Sequence, residues 1–186
     1  MRQTAIQTVA LTVLGVALAF AAPLCALGSS ARAAEGSTPG FDATFVLAEG
    51  GSGRIEAAVA DVVEEANPFV RPIARRRLLH QNRAFETLRF RVTDGRIVAH
   101  LGKAPPVASP ADGSAAWYEV PGGDRARVRQ KRNGRVLVQH YRTGDGERVN
   151  RFALSPDGGT LDYRVKVSSG YLPSPLRYAL RYRRAD

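Results

Sequence analysis

The sequence predicts a mainly β fold, an antiparallel up-and-down meander forming a barrel or a strongly curved sheet, with one kinked N-terminal helix packed against it. Three observations carry this. From Phe85 onward the hydrophobic period is 2, the period of a half-buried strand. The apolar runs are short, and turn pairs such as Asn133-Gly134 and Asp145-Gly146 separate them. One earlier stretch has a period of 3.6. At 186 residues, 44% hydrophobic and 24% charged, the chain has enough material for one globular core, which excludes wholesale disorder and a multi-span membrane protein.

Residues 1–33 read as an export signal. Arg2 gives a positive start, Thr8 to Ala22 runs without a charge, and Ala31-Arg32-Ala33 offers the small-x-small pattern of a cleavage site. The expectation is a secreted or periplasmic protein cleaved near Ala33. The alternative is an uncleaved anchor, since Thr4 to Gly28 is long enough to span a bilayer at about 20 residues. Cys25, the single cysteine, would leave with the signal, so no disulfide framework is expected. Residues 34–40 (AEGSTPG) form a small polar tether, and 41–184 is read as a single domain.

Phe41, Ala43, Phe45 and Leu47 alternate with polar neighbours and predict a strand over 41–47. Gly50-Gly51-Ser52-Gly53 ends it, with Ser52 as helix N-cap. Ile55, Ala58, Val59, Val62, Val63 and Ala66 form one helical stripe, and the spacing predicts a helix over 53–82, kinked or restarted at Pro68. Arg71, Arg75, Arg76 and Arg77 gather in its last turns, where cations favour the helix dipole. An eight-strand meander follows over 87–183, with Ala104 to Gly113 as a Pro-rich loop. Eight strands are about what closes a small barrel around side chains or one ligand.

Turn chemistry sets an expected register. A two-residue Asn133-Gly134 turn pairs Val128 with Gln139 and Arg127 with His140. A two-residue Asp145-Gly146 turn pairs Leu137 with Leu154, Gln139 with Phe152, Tyr141 with Asn150 and Thr143 with Arg148. The next turn sets Phe152 beside Tyr163 and Asn150 beside Val165. One face is then apolar and aromatic, with a polar island of Gln139, Tyr141, Arg148 and Asn150. An apolar concavity with a few convergent polar groups suits a small ligand, which burial holds and the polar groups orient. The candidate ligand-binding residues are therefore Gln139, Tyr141, Arg148 and Asn150 as anchors, and Tyr163, Tyr178 and Tyr182 as walls. The same residues can equally satisfy one another across the strands.

The opposite face collects Arg125, Arg127, Arg129, His140, Arg142, Arg151, Arg164, Lys166, Arg177, Arg181 and Arg183. The chain's net charge is +10, and 24 of its 27 cations are arginine. Outside the cytoplasm, an anionic membrane or envelope surface is the expected counterpart, and nucleic acid is not. No catalytic motif is present: there is no G-x-S-x-G, H-E-x-x-H, P-loop or G-x-G-x-x-G after a strand. Three histidines and one cysteine are too few and too scattered for a Cys/His zinc site. No catalytic residue, metal or cofactor is assigned.

The stretch Gln139 to Arg184, with S-P-D-G-G-T-L between two strands and L-P-S-P-L before the last, resembles lipocalin-like (calycin-like) small secreted bacterial proteins. The segment ANPFVRPIARRRL goes with the same group. The resemblance implies a lipocalin-like barrel. The chain departs from true lipocalins in lacking a G-x-W near the first strand and in placing its helix before the meander. The expected function is an exported, non-catalytic binding protein for a small amphipathic molecule or lipid. The alternatives are an envelope interaction protein that docks its arginine face, and a barrel-fold isomerase or cyclase.

Overall fold

A computed structural model of the chain describes residues 40–120 and 125–185. The export signal and all of the tether but Gly40 lie outside the described residues. Ten strands and two helices follow in the order β1 (Ala43–Leu47), α1 (Gly51–Glu64), α2 (Arg71–Gln81), β2 (Thr87–Val92), β3 (Arg96–Leu101), β4 (Val107–Pro110), β5 (Ala116–Glu119), β6 (Arg125–Asn133), β7 (Val136–Arg142), β8 (Gly146–Leu154), β9 (Thr160–Ser169) and β10 (Leu176–Ala185).

All ladders are antiparallel, and the spatial order is β4-β3-β2-β1-β10-β9-β8-β7-β6-β5. Because β1 pairs with both β2 and β10, the first and last strands join and the meander curls into a nearly closed, lipocalin-like barrel. The gap lies between β4 and β5. Side chains bridge it: Gln130 of β6 donates from Nε2 to Ile97 O at 3.1 Å and Val107 O at 3.3 Å. Tyr118 of β5 donates its hydroxyl to Pro105 O at 3.2 Å.

Four features differ from the sequence expectation. The single kinked helix over 53–82 is two helices. α1 stops at Glu64, and Pro68 sits in the connection, where its missing N–H and its steric hold on Asn67 forbid a continuous helix. Ser52 is not the cap. Gly50 takes that place with φ 82° and no side-chain bond, and Ser52 falls in the first turn. The Pro-rich loop over 104–113 contains β4, so nine strands follow the helices instead of eight. β4 lies at the edge, where Pro110 costs no ladder bond on the unpaired side.

The register of two hairpins is also shifted. Gly134 (φ 56°) and Arg135 form the first turn, so Asn133 faces Val136, and Gln130, not Val128, faces Gln139. His140 accordingly faces Arg129 in place of Arg127. In the next hairpin Thr143 N donates to Gly146 O at 2.9 Å, which sets Leu137 opposite Phe152, Gln139 opposite Asn150, and Tyr141 opposite Arg148. Moving a turn by one residue slides the partner strand by two, so every side chain keeps its face. Gly146 is needed here, because a Cβ would collide with the Ser168 carbonyl. The third hairpin pairs Phe152 with Tyr163 and Asn150 with Val165, as expected.

The inward residues form the core. Phe45, Leu88, Phe90, Ile97, Leu137, Phe152, Leu161, Leu176, Leu180 and Tyr182 are fully or almost fully buried. α1 lays Ile55, Val59, Val62 and Val63 onto this core and packs against β10. Each such side chain gains roughly 1.5–3 kcal/mol from leaving water. α2 adds Leu78, and its remaining residues are mostly exposed.

Candidate functional site

Three strands present polar residues inward at the same level. In register, Gln130 of β6 faces Gln139 of β7, which faces Asn150 of β8. Each is buried, and an unpartnered amide there would cost about 1–3 kcal/mol. The bonds form a continuous chain. Gln139 Nε2 donates to Gln130 Oε1 at 2.6 Å, and Asn150 Nδ2 donates to Gln139 Oε1 at 3.2 Å. Tyr141 donates its hydroxyl to the same Gln139 oxygen at 3.2 Å. Tyr163 donates its hydroxyl to Asn150 Oδ1 at 3.1 Å.

Arg148 is the hub. Its Nε donates to Asn150 Oδ1 at 2.9 Å, and its NH1 donates to Asn82 Oδ1 at 3.0 Å. Its NH2 donates to the hydroxyls of Tyr163 at 3.2 Å and Tyr178 at 2.9 Å. Asn82, just after α2, also accepts from Tyr178 at 3.4 Å and donates to Leu78 O at 2.9 Å. The network therefore runs from the barrel gap at Gln130 to the helical segment at Asn82.

The electrostatics are unusual. Arg148 is partly exposed on the inner face, and every partner it has among the described residues is a neutral oxygen. Both close contacts between a basic and an acidic side chain found among the described residues, His140 with Glu147 at 3.3 Å and Arg181 with Asp162 at 2.9 Å, lie on the outer face. Burial works against the Arg148 charge, but the guanidinium is bonded to the hydroxyls of Tyr163 and Tyr178 and stays protonated. Burial also pushes the phenols of Tyr141, Tyr178 and Tyr182 well above the ordinary tyrosine range. The site can therefore donate hydrogen bonds and hold one fixed positive charge. No group of three or more His, Cys, Asp or Glu among the described residues is placed to hold a metal.

Six of the seven residues expected to bind ligand, Gln139, Tyr141, Arg148, Asn150, Tyr163 and Tyr178, meet in this network. Tyr182 does not join it. Its ring lies edge-on to Tyr163 at 6.2 Å, and its hydroxyl donates to Phe85 O at 3.0 Å. Two members were missed. Gln130 shares the inward parity of Ala126 and Val128, so extending that alternation by one step would have found it. Asn82 has no sequence signal, because only the docking of α2 brings it to Arg148, 66 residues away in sequence.

The network adjoins two apolar clusters. One is the main apolar core. The other is a small cluster of Val107, Ala126 and Val128, flanked by partly exposed Tyr118 and Tyr141, whose rings meet edge-on at 6.1 Å. Two hollows on the surface lie elsewhere. One of about 310 Å³ lies between Arg89, Arg91, Val98 and His100, and one of about 440 Å³ lies along 46–53 and Glu86.

The outer face carries the expected cations. The register places three like-charge pairs directly opposite each other: Arg127 with Arg142, Arg151 with Arg164, and Lys166 with Arg177. Arg181 finds Asp162, and Arg125 stacks its guanidinium 4.9 Å above Trp117.

No family model and no curated protein sequence matches the chain. Similar solved structures include a REP1-NXSQ fatty acid transporter, at 14% identity and TM-score 0.47, covering 77% of this chain and 95% of that one. The fatty-acid-binding protein 1 of Echinococcus granulosus has 12% identity and TM-score 0.47, covering 77% and 96%. The fluorescent protein UnaG has 15% identity and TM-score 0.49, covering 78% and 97%.

Proposed function

We propose that the protein is an exported, non-catalytic binding protein for a small amphipathic molecule whose anionic head sits at Arg148. The supporting observation is a guanidinium on the inside of a barrel, held by Asn82, Asn150, Tyr163 and Tyr178 with no carboxylate partner among the described residues. Removing such a charge from water is favourable only when it is well compensated, and a ligand carboxylate or phosphate completes that compensation. The four bonds leave one NH1 hydrogen of Arg148 for the ligand. The tail lies along Tyr141, Tyr118 and the small Val107 cluster, which stands apart from the main packed core.

Binding of a fluorescent long-chain carboxylate and of its methyl ester, to wild type and to Arg148→Gln, tests the reading. The carboxylate is expected to bind wild type more tightly than the ester by about tenfold or more, and the variant is expected to lose that preference. Equal binding of both probes by wild type overturns the reading. Native mass spectrometry of protein isolated from its host then identifies the natural occupant.

The three opposed cation pairs favour a second reading, an envelope interaction protein docking its arginine face on an anionic surface. Like charges directly opposite destabilise a sheet, and a polyanion relieves that repulsion. Adhesion that does not weaken with added salt excludes it.

A further inference from the structure

The connection between α1 and α2 is built to hold apolar side chains in water. Phe69 is 91% exposed, Ile73 71% and Val70 48%. A loose loop would fold such residues back, but here the backbone is braced. Asn67 accepts from Phe69 N through Oδ1 at 3.0 Å, and Val70 N donates to Asn67 O at 3.0 Å. Arg71 reaches back from Nε to Ala66 O at 3.0 Å and from NH2 to Glu64 O at 2.7 Å, which ties the turn to the end of α1. The core is served by a different face of α2, through Leu78 and the half-buried Ala74 and Leu79.

The charges on the α2 side of this knuckle have one sign. Residues 66–85 hold Arg71, Arg75, Arg76, Arg77 and Arg83 and no acid, while Asp61, Glu64 and Glu65 precede them at the end of α1. Arg76 and Arg77 follow Ile73 by three and four positions, so they share its side of the helix. Long arginine stems can cover apolar surface while their heads stay among polar groups. An apolar tip with a collar of cations matches the border between acyl chains and anionic headgroups.

The geometry points to the α1–α2 knuckle as a bilayer-docking element that inserts Phe69, Val70 and Ile73 into an anionic lipid surface, with Arg76 and Arg77 on the headgroups. A soluble protein partner would not require this pairing of a protruding aromatic with cations that make no ion pair among the described residues. The docking is independent of Arg148.

The test places the chain's only tryptophan at the tip. In the full chain carrying Trp117→Phe and Phe69→Trp, emission is read against phosphatidylcholine vesicles with and without phosphatidylglycerol, and with brominated acyl chains. The probe is local, so insertion by residues 1–33 does not move it. The expected result is a blue shift and bromine quenching that depend on phosphatidylglycerol. Adding Arg76→Gln and Arg77→Gln should raise the lipid needed for half of the shift by about tenfold or more. Circular dichroism checks that these exposed substitutions leave the fold intact. Emission unchanged by anionic vesicles overturns the proposal, as does a shift indifferent to both phosphatidylglycerol and the arginines. The response is read at the tip without any added carboxylate probe, so the two readings fail separately.

Discussion

The two sides of the barrel interior are stabilised differently. On the main side, Phe152 stacks on Tyr163 with centroids 4.6 Å apart, and Phe90 meets Phe152 edge-on at 4.9 Å. Contact there is dispersion and apolar burial, which have little directional demand. On the other side, Gln130, Gln139, Asn150 and Arg148 are joined by hydrogen bonds that each need a particular partner atom. Tyr163 belongs to both, with its ring in the stack and its hydroxyl in the network. An apolar filling gives stability with little positional demand, whereas a polar one fixes position and sustains a charge. Only the second offers a ligand anything to recognise.

Truncation should separate the two sides. Phe152→Ala is expected to have the largest effect, about 3–5 kcal/mol lost in urea unfolding, because it removes a large ring from a packed core. Gln139→Leu keeps nearly the same volume but strands Gln130 Oε1, the Tyr141 hydroxyl and Asn150 Nδ2. It is expected to cost about 1–3 kcal/mol. If Gln139→Leu is neutral or stabilising, the polar side is not held by its hydrogen bonds and the contrast collapses.

Alkali probes both sides. The phenols of Tyr141, Tyr178 and Tyr182 lie above the ordinary value of 10.0 in the folded protein, chiefly through burial. The unfolded chain releases those protons first, so stability is complete below pH 10.0 and falls as pH rises above it. Unfolding curves on either side of that pH should show the loss, and Tyr182→Phe should reduce it. A flat profile would mean that these hydroxyls are open to water. The smallest effect is expected from Asp162→Asn on the outer face, where the exposed pair with Arg181 is screened by solvent. Its unfolding midpoint should match wild type.

Much of this was legible in the chain. Strict alternation over β6 to β10 assigned each side chain to its face, and that assignment survived two register shifts because a slide by two preserves parity. β4 was hidden by its prolines, which composition reads as loop, and its pairing becomes visible only beside β3. The break between the helices followed from Pro68, but the sequence could not distinguish a kink from a full interruption.

Periodicity and turn chemistry, both local, determined by themselves the β class, the inward aromatic face, the outward arginines and the polar island. The tertiary structure alone decided that β1 closes onto β10, that Gln130 bridges the gap, and that Asn82 is delivered to Arg148. These contacts join residues distant in sequence. Their partners are chosen by how the sheet curls and where the helices dock, and no window of neighbouring residues carries that information.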